Sequence, residues 1–423
     1  MNQESTKTPI EPGVKENLFK EEVFNEFVSQ RSWEPGWLAE RRKDAWEKFK
    51  SLDSIQRKDE RWRFSPKNRF SLSEFCLNNR KDPLFEESIE VPSGDWREEG
   101  ITCSSLNETL LKDHMAAIEL SNCNGPNLGA DAAQFLSEAY MDNGIIIRAP
   151  KGVSVQEPLT INHQAPPSGQ IAFHKTLIIL EEGASITIRE NFNSRNQNDR
   201  SAICSSTNIL ASQNSQLNRI LIQNLNTRSS FFQLDSSEAN KSSRVKNCSL
   251  HLGSSQSRSE SLAVISGEDA EIEILGLSIG TGEQLFDQRT RQLHIAPAGN
   301  SKLLYKNALL EESKAVFSGL IKVDEKAQGT NAYQTNRNLL LSPKAEADSL
   351  PELEILANEV KCSHGATTGE IDKEQLYYLR SRGIEKSAAE ELLVFGFIEE
   401  VLESLKNEEL VESLRTQVRQ KFK

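Results

Sequence analysis

The segments GASITI (183–188), NSQLNRI (214–220), DAEIEI (269–274), NSKLLYK (300–306) and SKAVFSG (313–319) each set a small or polar turn ahead of an alternating strand. Alternation puts every second side chain on one face. Runs such as Ile145-Ile146-Ile147, Leu177-Ile178-Ile179-Leu180, Ile186-Thr187-Ile188 and Ile272-Glu273-Ile274 carry the same texture from Gly144 to about Val360, punctuated by Gly, Ser, Asn and Asp. They predict strands of about five residues bounded by turn chemistry. A degenerate turn-plus-strand repeat of this extent is the pattern of a parallel β-solenoid, whose rungs bury their inner faces only against neighbouring rungs. A β-sandwich or a large barrel is the competing reading.

Helical periodicity flanks this region on both sides. From about Val14 to Ser65, Leu18, Val23 and Phe27, then Trp37, Leu38, Arg41, Ala45, Trp46 and Phe49, fall near a 3.6-residue spacing, with Pro35 placed to open the second helix. Another helix is expected from Ala130 to Met141, ahead of a turn at Asn143-Gly144. Beyond the strands, Asp372 with Gln375 reads as a helix start, Gly383 as a stop, and Ser387 with Glu390 as a second capping box. A last charged helix is expected over Glu408 to Lys421. The chain thus divides into a mainly helical region 1–143, a β-helical core 144–365 and a C-terminal helical domain 366–423.

At 423 residues and a formal net charge of -12, the chain has ample material for a core and lacks the concentrated basic face that nucleic acid requires. No apolar run approaches the roughly 18 residues of a membrane span. The opening MNQESTKTPIEPG has no apolar centre and carries acids, so it reads as neither a secretory signal nor a transit peptide. A cytoplasmic location is expected. The six cysteines form no CxxC pair and no zinc spacing, so reduced thiols are the default.

The most chemically suggestive stretch is Cys362-Ser363-His364, at the junction between the last strand and the C-terminal helices. In extended backbone, Cys362 and His364 share a face, and a thiolate with an imidazole can ligate iron or handle sulfur. Alternatively, Cys362 is a small buried hydrophobe and His364 a hydrogen-bonded junction residue. The carboxylates Asp235, Asp269, Asp287, Asp324 and Asp348 are dispersed, which disfavours the paired acid and base of a solenoid glycosidase or lyase. No P-loop or GxSxG motif is present. His114, His163, His174, His251 and His294 read as ordinary histidines, Cys204 and Cys248 as core-filling thiols, and Arg41-Arg42-Lys43 as a solvated helix face. Leu393, Phe397, Val401 and Leu405 form an apolar stripe that something must cover.

Four stretches in order, ADSLPELEI (347–355), VKCSHGATTG (360–369), QLYYLRSRGI (375–384) and GF (396–397), resemble the closing signature of SufD-type proteins of the SufB/SufD family. HIAPAGNSKLLYKNAL (294–309), FSGLIKV (317–323) and QTNRNLLLS (334–342) are similar to the family core, and EPGWLAERRKDAWEKF (34–49) with DERWRFS (59–65) to its helical entry. The resemblance implies a right-handed parallel β-helix flanked by helical regions, and a non-catalytic scaffold subunit of an iron-sulfur cluster assembly complex that supports de novo assembly and iron acquisition. It implies pairing with a SufB-type subunit through the end strands, or with a second copy when alone. It also implies docking of a SufC-type ATPase on the C-terminal helices, partly through Leu393, Phe397, Val401 and Leu405. His364 matches the histidine of the subunit interface, where a cluster forms transiently with no stable cofactor on the isolated chain, and Cys362 is its neighbour. A solenoid carbohydrate-active enzyme and a homodimeric adaptor without cluster chemistry are the other two readings.

Overall fold

The computed structural model describes residues 17–52, 59–77, 88–90, 96, 99–106, 125–141 and 143–422. It is mainly β, with a parallel β-solenoid of about 8 turns and helices at both ends. Three short strands come first: β1 (Cys76–Leu77), β2 (Ser88–Glu90) and β3 (Thr102–Ser105). The solenoid then runs through β4 (Asn143–Ala149), β5 (Leu159–Gln164), β6 (Gln170–Leu180), β7 (Ser185–Asn193), β8 (Ala202–Ala211), β9 (Gln216–Asn224), β10 (Ser230–Ala239) and β11 (Arg244–His251). It continues through β12 (Gln256–Ile265), β13 (Glu271–Gly280), β14 (Leu285–His294), β15 (Asn300–Leu309), β16 (Lys314–Val323), β17 (Asn331–Leu340), β18 (Glu346–Ile355) and β19 (Lys361–Glu370).

Even-numbered strands from β4 to β18 lie side by side in one sheet and odd-numbered strands from β5 to β19 in the other, so the chain crosses between sheets at every turn. Register advances from Ser230 to Gln256, Leu285, Lys314 and Glu346, in parallel throughout. At the first end, β2 and β3 pair antiparallel to β5 and β4. Many of the corners are turned by left-handed residues shortly before a strand, among them Gly183, Asn214, Asp269 and Ala298. At Gly267 an added Cβ would come within 1.9 Å of the Lys241 backbone nitrogen, so successive turns stack too closely for any side chain there.

All five turn-plus-strand segments of the sequence open strands or lead into them. The strands, however, mostly run to eight to eleven residues rather than about five. The extra length is polar. The inner face is apolar at its edges, with Ile178, Leu180, Ile209, Ile186 and Ile188 fully or almost fully buried, and hydrogen-bonded in its middle. Buried Arg219 donates to Glu190 at 2.6 Å, to Asp235 at 2.7 Å and to Thr207 at 3.0 Å. Burial, the largest single effect, would raise the Glu190 carboxyl, but Arg219 and His163 together outweigh it and hold it at about 2. Gln288 donates to Asn307 at 3.0 Å, Asn307 to Asn338 at 2.8 Å, and Asn338 to Thr368 on β19 at 3.3 Å. Such side chains imitate turn residues in sequence while satisfying one another in the core.

At the N-terminal side, α1 (Glu21–Ser29) and α2 (Gly36–Lys50, with Pro35 at its N-cap) pack on α3 (Asp131–Tyr140). Phe24 stacks on Trp46 at 4.7 Å, and the Tyr140 hydroxyl donates to the Leu18 carbonyl at 2.7 Å. The second helix ends at Lys50, not near Ser65, and among the described residues up to Phe70 single turns (Glu60–Trp62, Lys67–Phe70) follow. Val14 lies outside the described residues. Asn143-Gly144 opens β4 instead of forming a turn. Arg42 is not on a solvated face: it is buried, forks onto Glu34 at 2.7 and 2.8 Å and donates to the Ala139 carbonyl. This unit is fastened to the even-numbered sheet by a buried ion cluster. Arg258 pairs with Glu260 and Asp287, Glu260 accepts from the Leu128 and Ala130 amides, and Arg289 donates to the Arg63 carbonyl.

After β19 come α4 (Lys373–Ser381), α5 (Lys386–Glu403) and α6 (Glu408–Gln420). Asp372 caps α4 by accepting from the Glu374 and Gln375 amides, and Gly383 at φ 87° ends it, as the sequence indicates. The second capping box is not formed: Ser387 already lies inside α5, whose N-cap is Glu385 with no side-chain bond. No helix among the described residues is long and apolar enough to cross a membrane.

The buried histidines set an acid limit. Burial lowers His251 and His294 from 6.5 to about 4. A histidine kept neutral when folded binds fewer protons than when unfolded, so stability falls as pH drops below 6.5 and that loss levels off near 4. Glu190 adds a second loss between 4.5 and about 2, because its depressed carboxyl must take a proton. Thermal unfolding followed into acid is expected to show both steps, with His251→Gln plus His294→Gln flattening the first. An unchanged Tm between 6.5 and 4 would contradict this.

Candidate functional site at the open end of the solenoid

Every strand of the solenoid interior is covered by the next rung until β18 and β19. These two have a hydrogen-bonded neighbour on one side only, β16 and β17 respectively. Apart from half-buried Cys362, all of β19 is exposed, and β18 passes from half-buried to exposed along its length. Inner-face residues Leu353 and Ile355, each 37% exposed, and Leu356 beyond them at 56%, are the apolar surface that another rung would cover.

Cys362, Ser363 and His364 lie within β19, not at the junction with the helices, because the strand continues to Glu370. Cys362 stands in register with Ala332 and packs partly against Ile321, Val323 and Ala332. It is therefore on the inner face. His364, two residues on, takes the next inner position, in register with buried Gln334, and is exposed. The pairing expected from alternation is present. The Cys362 thiol is pushed up by burial, opposed by a backbone hydrogen bond at Ala332, so in the chain alone it stays a thiol. Two side chains do not make a metal site. Among the described residues no group of three or more His, Cys, Asp or Glu is placed to hold a metal ion.

The apolar stripe of α5 divides. Val401, and Leu405 just past the end of the helix rather than on it, are buried in one cluster with Ile220, Cys248, Leu275 and Leu304 on the outer face of the odd-numbered sheet, so the chain itself covers them. Leu393 and Phe397 are half-buried. The apolar groups left open are others: α4 has no buried residue, with Tyr377 76% and Tyr378 57% exposed, and Leu392 of α5 is 50% exposed. Adjacent tyrosines in QLYYLRSRGI were the signal for them. Cys204 and Cys248 fill the seams under α3 and α5, where burial pushes both thiols up to about 12. His163 and His174 meet with ring centroids 4.7 Å apart, buried beside Glu190. Asp235 and Asp287 are tied to arginines rather than arranged as an acid and base. His114 and Cys123 lie outside the described residues.

A family model for "SUF system FeS cluster assembly, SufBD core domain" matches residues 161–397, from within β5 to within α5. The chain belongs to the SufBD family. The iron-sulfur cluster assembly protein SufD of Escherichia coli (strain K12) is 31% identical over 297 residues, covering 69% of this chain and 70% of that protein. SufD of Bacillus subtilis (strain 168) is 24% identical over 433 residues, covering 96% and 99%. SufB of the same bacterium is 25% identical over 343 residues, covering 81% and 71%. Within the SufBD family the likeness supports a SufD-type member, and membership carries a role in SUF-system iron-sulfur cluster assembly.

Thiol accessibility tests the placement of the cysteines. Brief alkylation of the folded chain, mapped by mass spectrometry, is expected to label Cys362 and to spare Cys204 and Cys248 until the chain is unfolded. Labelling of Cys204 or Cys248 at the rate of Cys362 would show that the seams are open.

Proposed function

We propose that this chain is a non-catalytic scaffold subunit of a SufBCD-type complex. It pairs with a SufB-type subunit through β18 and β19, and it docks a SufC-type ATPase on α4 and the exposed side of α5. The observation that carries the reading is the uncovered last rung. Its inner row presents Cys362 and His364 beside exposed Leu353 and Ile355, which is the surface a second β-helix would bury. The open ladder supplies backbone donors and acceptors, and the inner row supplies the chemistry.

On this reading the cluster is the product in transit, held between subunits and not resident on this chain. His364 contributes an imidazole and Cys362 a soft ligand once a metal offsets its raised thiol. The remaining ligands come from the partner. The ATPase surface comprises Tyr377, Tyr378 and Leu392 with half-buried Leu393 and Phe397. Val401 and Leu405 act from behind, by fixing α5 to the sheet. ATP-driven approach of two docked ATPase subunits favours one arrangement of the helices and opens the subunit junction to iron and sulfur. A protein with these partners works in the cytoplasm.

His364→Ala is expected to leave folding and partner binding unchanged while cluster formation by the assembled complex falls about tenfold or more, the range seen when groups that orient or hold a metal are altered. Full activity of this variant would remove His364 from the site.

A further inference from the structure

Lys306 occupies a place where the pattern of the sheet calls for an apolar side chain. On the outer face of the odd-numbered sheet, Ile222 of β9, Leu250 of β11 and Leu277 of β13 stand in register, all buried and all part of the seam under α5 and α6. The next position in that column is Lys306 of β15, followed by Arg337 of β17 and Thr367 of β19. The column thus changes from apolar to cationic two strands before the last one.

Lys306 is buried. Its Nζ donates to the Phe397 carbonyl at 2.7 Å, lies 2.7 Å from the Glu400 carboxylate and sits 5.2 Å from the centre of the Phe397 ring. A buried ammonium is tolerated only when it is hydrogen-bonded, and here both strong acceptors come from the C-terminal half of α5. Glu400 also reaches Arg337 at 3.4 Å, so one carboxylate of the helix grips two adjacent strands. The Lys306 hydrogen bond, joined by Arg337, holds the Glu400 carboxyl below its ordinary value.

The location of this grip matters. C-terminal to it, Val401, Leu402 and Leu405 are buried in the seam. N-terminal to it, Val394 and Ile398 are buried in the same seam and Leu392 on the other side of α5 is exposed, while α4 beyond has no buried residue. Through Glu400, α5 is therefore tied to both β15 and β17, while α4 ahead of it has nothing buried. Arg337 pairs with Thr367 on the strand that carries His364.

We propose that Lys306, through Glu400 and Arg337, is the positioning contact by which a displacement of α4 and α5 is passed to the last two strands of the odd-numbered sheet. This rests on the reading that an ATPase docks on those helices. An apolar residue would pack the seam equally well and would slide. The ammonium, fixed to a carbonyl and a carboxylate, resists sliding because moving it strands a buried charge.

The test uses Lys306→Met, which keeps the bulk, and Lys306→Arg, which keeps the charge. In the chain alone, hydrogen exchange of Lys306→Met is expected to quicken across residues 386–398 and to stay as in the wild type across α6. In the assembled complex, the Met variant is expected to bind the ATPase and hydrolyse ATP at the wild-type rate while clusters formed per ATP fall severalfold, with Arg restoring most of the yield. Unchanged exchange in residues 386–398 overturns the anchor. Loosened helices with an unchanged yield per ATP overturn the transmission. Loss of assembly by the Met variant makes Lys306 merely structural and also overturns it. Failure of the wild-type chain to bind any SufC-type ATPase is a different result: it removes the docking reading, and the proposal with it.

Discussion

A rung of a parallel solenoid can bury its inner face only against the rungs on either side, and nearly everything distinctive about this chain follows from that constraint. At the first end the requirement is met within the chain, by β2 and β3 pairing antiparallel to β5 and β4 and by Trp96 and Ile101, buried with the inner row. At the other end β18 and β19 close the column with an exposed inner row. Exposed edges of this kind invite strand pairing, and natural proteins usually blunt them. Here the edge carries Cys362 and His364, residues whose chemistry suits the cluster assembly that family membership implies.

The same constraint explains the polar interior. Where strands face each other across a narrow column, long polar side chains reach across and bond one another, as Arg219 does with Glu190, Asp235 and Thr207. Such groups are costly to disturb singly, since removal of one partner leaves an uncompensated buried charge. They lock facing strands in register more firmly than interchangeable aliphatic contacts would. The cluster of Arg258, Glu260, Asp287 and Arg289 does similar work outside the column, holding the segment around Arg63 and Leu128 to the sheet. These fixed contacts set the solenoid apart from α4, which has no buried residue.

Much of this was legible in the sequence. The turn-plus-strand segments marked true strands because a small or left-handed residue is needed at every corner, and Asp372 and Gly383 bounded α4 for equally local reasons. Strand length was not legible, because inner residues such as Thr207, Asp235, Gln288 and Asn307 have the composition of turns. The repeat looked degenerate because successive rungs differ in length, as the steps from Ser230 to Gln256 and from Lys314 to Glu346 illustrate. Cys362 and His364 could be placed on one face from alternation alone, but their position on the uncovered inner face required the whole stack. Periodicity revealed the stripe on α5 without saying what covered it, and Val401 and Leu405 proved to face this chain's own sheet. Arg42 was read as a surface residue because a basic residue on a helix gives no sign in sequence of the carboxylate, Glu34, that meets it in the fold.

The central claim is that the uncovered last rung is completed by a second subunit. Amide hydrogen exchange of residues 346–370, measured on the chain alone and after mixing with a SufB-type protein, tests it most directly. Strong new protection concentrated in β18 and β19 is the expected result. Stable binding with no change in those strands, and protection gained elsewhere instead, would contradict the account.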